Sequence, residues 1–140
     1  MAKDFATVLG IGLILVGVFG FVIPDPLGMH LSALHSVVHI ATGLVALWLG
    51  FWGSASAAKT FCIGFGAVYV LLGIAGFALG VAGAPSAGVP GPHDAHMLKL
   101  LPGMLELGAA DHVIHVLLGA LFLAGGVTTK SAPAAAPRTA

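Results

Sequence analysis

The sequence predicts an all-α membrane protein: four transmembrane helices in an up-down-up-down bundle, built from a duplicated helical hairpin, with both termini in the cytoplasm. Three observations predict it. Hydrophobic residues make up 59% of the chain and charged residues 7%, against roughly 25% charged in soluble domains. Too few charges remain to cover a water-facing surface, and a mean hydropathy of +1.09 agrees. Four apolar runs reach membrane length, at about 5–23, 32–52, 61–81 and 109–127. The runs also repeat in pairs. Gly10, Gly17, Gly20 and Phe21 recur as Gly66, Gly73, Gly76 and Phe77, and His39-x-x-x-Gly43 recurs as His115-x-x-x-Gly119.

The first run is unbroken from Phe5 to Ile23, long enough as a helix for a hydrocarbon core of about 30 Å. Lys3 resembles the charged start of a secretory signal. However, the run is long for one, and no small-x-small cleavage site precedes Pro24. Pro24 and Pro26 end it. Ser32 is the expected cap of helix two, and Trp48 and Trp52 mark its far, interfacial end. The small polar segment from Gly53 to Lys59 connects to helix three, with Tyr69 near mid-depth. The stretch from Gly83 to Pro92 reads as loop. From His93 to Leu107, Met97, Leu98, Leu100 and Leu101 suit a segment lying along the membrane surface, interrupted by Pro102-Gly103. Helix four covers about Ala109 to Val127. The transmembrane domain is thus 1–130, and 131–140, mostly alanine and proline, reads as a disordered tail.

Lys3, Lys59, Lys130 and Arg138 fall on one side of this arrangement and only Lys99 on the other. The excess of basic residues places that first side in the cytoplasm. Helices one and three then start inside, which makes the two hairpins parallel repeats about an axis along the membrane normal.

Polar residues in hydrocarbon are costly and call for a functional explanation. On a helix, residues four apart share a face, so His35, His39 and Gly43 line up, as do Asp111, His115 and Gly119. The two histidines of the repeat sit at matched depth, roughly 10 Å from the outer helix ends. The glycine one turn deeper leaves room for a neighbouring helix or a bound group.

The motifs Asp111-x-x-x-His115-x-x-x-Gly119 and His39-x-x-x-Gly43 resemble those of a bacterial family of small four-helix membrane proteins catalogued as a domain of unknown function. The resemblance spans roughly Phe5 to Val127, with Ser36 standing where that family often has asparagine. It implies the fold and a multi-pass place in the cytoplasmic membrane. It supplies no activity.

The residues leave several roles open. The histidines and Asp111 could hydrogen-bond between helices as a buried structural pair, in an accessory subunit of a larger membrane complex or a homo-oligomer. His39 and His115 could hold a b-type haem. His35, His39, Asp111, His112 and His115 could ligate zinc, copper or iron. A small channel, transporter or proton relay is a further reading. In the outer loops, His30, His93 and His96 lie near Asp25 and Asp94, and Met29 and Met97 adjoin histidines, a pairing suited to Cu(I). Such loop histidines are expected to be solvated, Tyr69 to bond a backbone carbonyl, Cys62 to pack, and Glu106 to lie on the surface. With one cysteine, neither an internal disulfide nor a cysteine-rich metal site can form. Zero formal net charge without a basic patch excludes nucleic acid, leaving the lipid bilayer as the main partner. No nucleophile–base pair, phosphate loop or paired carboxylates are present, so no enzyme activity is expected.

Overall fold

Small residues recur at helical spacing on one face of every apolar run, and that stripe is what each helix buries. A computed structural model describes residues 1–23, 25–87 and 91–130. It contains α1 (Ala2–Val22), α2 (Ala33–Phe51), α3 (Ala55–Leu79) and α4 (Ala109–Val127), with a short 3-10 turn at Pro26–Gly28. Each of the four helices is long and apolar enough to cross a membrane. Their outer faces leave large apolar side chains exposed, among them Ile11, Phe19, Val45, Leu71 and Leu117. Water would drive such a belt inward; hydrocarbon does not.

The repeat seen in the sequence is repeated in burial. Helix α1 buries Ala2, Ala6, Gly10, Leu13, Gly17 and Gly20. Adding 56 to each number gives the buried set of α3: Ala58, Cys62, Gly66, Tyr69, Gly73 and Gly76. The buried residues of α2, from His35 to Gly50, map onto those of α4, from Asp111 to Gly126, at a constant offset of 76. The bounds of α2 and α4 obey the same offset.

The glycines explain the pairing. A Cβ at Gly43 would lie 2.7 Å from the Gly10 carbonyl oxygen, and one at Gly119 would lie 2.7 Å from that of Gly66. Further along, a Cβ at Gly17 would meet the Ser36 carbonyl, and one at Gly73 the His112 carbonyl, each at 2.6 Å. Partner numbers fall as the glycine number rises, so α1 runs antiparallel to α2, and α3 to α4. Backbones this close are what small residues permit where no aqueous hydrophobic effect drives helices together. Gly43 and Gly119 therefore admit a neighbouring helix. Cys62 packs as expected, fully buried with its thiol 3.5 Å from the Ala2 carbonyl.

Basic side chains close one end of the bundle. Lys3 Nζ donates to the Phe51 carbonyl at 3.4 Å, and Lys59 Nζ to the Thr129 carbonyl at 2.8 Å. These cations meet carbonyls at the C-terminal ends of α2 and α4, where the helix dipole is negative.

Two elements differ from the sequence expectation. Helix α3 starts at Ala55 rather than about residue 61, because the Ser54 hydroxyl accepts the Ala57 N–H at 3.1 Å and alanine-rich sequence carries the helix on. The segment 93–107, expected only to lie along the membrane surface, forms most of a three-stranded antiparallel sheet. Strands β1 (Val81–Gly83), β2 (Asp94–Leu101) and β3 (Leu105–Leu107) lie in that order. Pro102 and Gly103 make the turn, and Gly103 at φ +76° occupies the left-handed region that favours glycine. Between Pro92 and Pro102 the chain is too short for a stable helix, whereas as a strand it pairs on both edges. The proline stop expected at Pro24, the loop expected at 88–90 and the disordered tail expected at 131–140 lie outside the described residues.

Glu106, expected on the surface, is fully buried. It accepts N–H groups from Ser86 (2.6 Å), Ala87 (3.1 Å) and Gly103 (3.0 Å), together with the Ser86 hydroxyl. Lys99 Nζ lies 3.5 Å away. Burial alone would raise this carboxyl, but the donors from Ser86, Gly103 and Ala87 outweigh it and hold it at about 2. A depressed carboxylate stabilises the fold above its ordinary value near 4.5, and that stabilisation is lost as pH falls towards 2. Protection of the amides at 94–107, corrected for the intrinsic pH dependence of exchange, should therefore fall below about pH 4 in the wild type. A Glu106→Gln variant should show fast exchange at all pH values; equal protection at neutral pH would show that the carboxylate does not hold the hairpin.

Candidate metal centre

The site lies where the N-terminal halves of α2 and α4 meet under the sheet. The Ser32 hydroxyl, 3.3 Å from the His35 N–H, starts α2 and puts His35 and His39 on one buried face. The same hydroxyl donates to the Met104 carbonyl at 2.6 Å, tying that cap to the hairpin turn. Helix α4 starts at Gly108, where Asp111 reaches back to accept the Gly108 N–H at 2.8 Å. The same oxygen accepts the His30 N–H at 3.0 Å. One carboxylate thus fastens the loop of the first hairpin to the helix start of the second.

His35, His39 and His115 come together. Each offers a ring nitrogen, and these atoms all lie within 4.8 Å of one another. The His35 and His39 rings meet edge-on at 4.4 Å, His35 stacks on His115 at 5.8 Å, and His39 faces His115 at 6.2 Å. All three are nearly sealed, at 2%, 3% and 4% exposure.

Their hydrogen bonds select a tautomer. His35 Nδ1 is 2.9 Å from the His30 carbonyl, and His115 Nδ1 is 2.6 Å from the Asp111 carbonyl. A carbonyl only accepts, so both Nδ1 atoms carry a proton, and in the neutral ring each Nε2 presents a lone pair. Among the described residues, His35 Nε2 and both ring nitrogens of His39 are buried without a hydrogen-bond partner. Nδ1 bound to a backbone carbonyl with Nε2 left free is the arrangement that prepares histidine for a metal.

A cavity of about 50 Å³ borders all three rings. Tyr69 and Leu72 wall one side, and Leu100, Leu105 and Leu107 of the hairpin roof it. The Tyr69 ring centroid is 4.7 Å from that of His115. Neither the roof nor Tyr69's place beside the rings was readable as part of a site, since the one depends on strand pairing and the other on how α3 meets α4.

The remaining sequence candidates are held elsewhere. Asp111 Oδ2 is occupied by the two backbone amides. His112 Nε2 is 2.7 Å from the His96 carbonyl, and its ring meets Phe77 edge-on at 5.3 Å, over Gly76. His30, expected in solvent, is buried at 8% exposure, and Met29 and Met97 are buried as well. His93 is exposed. Asp94 accepts the N–H groups of His96 (2.8 Å) and Ala109 (2.9 Å), which lower its carboxyl against the opposing effect of burial. Lys99, the one lysine expected on the outer side, is engaged by Glu106, the Ala84 carbonyl (3.1 Å) and the Ser86 hydroxyl (3.0 Å).

Comparison with family models, with curated proteins and with solved structures gives no match to this chain.

Proposed function

We propose that this is a four-span membrane protein that holds one transition-metal ion at His35, His39 and His115. The observation that carries the reading is that a ring nitrogen from each of His35, His39 and His115 lies within 4.8 Å of the others beside one cavity, with the His39 ring unpartnered. Lone pairs repel one another and gain nothing from apolar walls; a cation satisfies all of them at once. Imidazole suits zinc, copper, iron and nickel. Two ligands on one ion at about 2.1 Å lie at most ~4.2 Å apart, so the rings must draw inward slightly as the ion binds.

The rival readings fit the same residues less well. A haem is far larger than a cavity of about 50 Å³, when pockets for such groups start near ~300 Å³. Lys99, the cation that could meet its propionates, is tied to Glu106. An ion path would have to pass Leu13 and Phe122, packed at 1% and 0% exposure. The structural reading suits a different set, Asp111 and His112, whose bonds join loops and helix ends. In this proposal the chain crosses up-down-up-down after a hairpin duplication. The lysine-capped end is cytoplasmic, by the excess of basic residues, and the metal lies under the opposite surface. The protein is a binding subunit rather than an enzyme.

The test is metal content and melting temperature of detergent-purified protein, with His39→Leu as the variant. Wild type incubated with zinc or copper and then desalted should retain about one ion per chain and melt several degrees higher, by mass action. His39→Leu should retain none. Without metal it should melt no lower than wild type, because leucine removes two unsatisfied buried nitrogens. Wild type that retains no ion and gains no stability from any of these metals overturns the proposal.

A further inference from the structure

Three imidazoles leave a metal ion short of the four ligands that zinc-like ions take. The cavity that touches all three rings is otherwise lined by Val38, Leu72, the leucines of the hairpin roof and Tyr69, whose hydroxyl is buried. No carboxylate or thiol lines it: Asp111 lies outside the lining, its Oδ2 accepting two backbone amides, and Cys62 is at the far end beside Ala2. Only the three histidines form a group able to hold a metal among the described residues.

Charge identifies what belongs there. Histidine ligates a metal as a neutral ring, so a divalent ion keeps its two positive charges in a largely apolar surrounding. A buried charge without a partner is strongly unfavourable. An anion on the open position reduces it. Size sets the limit: at roughly 10–15 Å³ per water in this measure, about 50 Å³ accommodates three or four heavy atoms. Leu100, at 43% exposure, and half-buried Leu105 leave the roof thin on one side.

Resting on the metal-centre reading above, we propose that the fourth coordination position is open and takes a small inorganic anion, one to three atoms long, under the β2–β3 hairpin. Three protein ligands with one free position is the arrangement of metal sites that bind exogenous ligands, whereas structural sites are closed by four. The hairpin leucines then act as a size filter, admitting hydroxide- or azide-sized ions and excluding larger ones.

The test uses Co(II) as a spectroscopic substitute and sodium azide as the probe, on the full chain in detergent. Co(II) should bind at one equivalent and give a visible absorption band. Azide should shift that band saturably, while benzoate, too large for the cavity, should not. Leu105→Trp and, separately, Leu100→Trp should still bind one Co(II) but lose at least tenfold in apparent azide affinity. Leu100 is partly exposed, so its replacement leaves the fold a margin if Leu105→Trp does not fold. A wild-type Co(II) band indifferent to azide overturns the open position while leaving the metal centre standing. A band that responds equally to azide and benzoate, or in which both tryptophan variants respond as wild type does, overturns the roofed cavity as the binding place. Absence of any Co(II) band overturns the metal centre and the open position together.

Discussion

Gly119→Leu is expected to force α3 and α4 apart and to destabilise the protein by roughly 3 kcal/mol or more, the upper range for overpacking a tight interface. A Cβ there would lie 2.7 Å from both the Gly66 carbonyl oxygen and the Val70 nitrogen, with Val70 Cγ2 at 2.8 Å. Two of these three are backbone atoms of a neighbouring helix, so no rotamer change relieves them. Gly43→Leu should behave alike, since its Cβ would meet the Gly10 carbonyl and the Ile14 backbone. Gly12→Leu and Gly64→Leu are the controls. They lie in α1 and α3, the helices that pack against Gly43 and Gly119, but a Cβ at either has no atom within 4 Å. Thermal unfolding in detergent should show a large drop for the first two variants and almost none for the controls. Leucine is the better helix former, so a uniform drop across all four would mean that added bulk destabilises the bundle wherever it is placed rather than through close contact.

Asp111→Ala is the second large effect, at roughly 2–6 kcal/mol. It strands the His30 and Gly108 amides, both now paired with Asp111 Oδ2 in a buried setting, and each unsatisfied buried donor costs about 1–3 kcal/mol. Asp111→Asn keeps an oxygen acceptor and should lose less than half as much. Metal retention separates this fastening role from ligation. If Asp111 only positions His115 and the His30 loop, Asp111→Asn should still bind one ion per chain. Loss of the ion with an unchanged melting temperature would instead make Asp111 a ligand.

How far the site could be read in advance depended on the range of each interaction. The match of His39 with His115, and the presence of His35 on the same helix face, follow from spacing alone, because four residues make about one helical turn. Choosing His35 over Asp111 and His112 did not follow. The offset of 76 makes His35 the counterpart of Asp111, and Ser36 the counterpart of His112. Identical helical positions therefore carry opposite jobs, one pointing at the rings and one capping a helix. That division arises where the two hairpins meet, and no local pattern encodes it. Glu106 was misread for a related reason: a lone glutamate in a loop is ordinarily solvated, and only the folded hairpin brings Ser86, Ala87 and Gly103 to it.

By itself the sequence determined the four apolar helices, the hairpin repeat and the helix faces on which histidines stand. These rest on composition and on contacts within a few residues along the chain, which the covalent order already contains. Tertiary structure decided the sheet over the site, the burial of Glu106, and which three histidines converge. Each of those depends on donors and acceptors brought together from distant segments, and a buried polar group takes whatever partner the fold supplies.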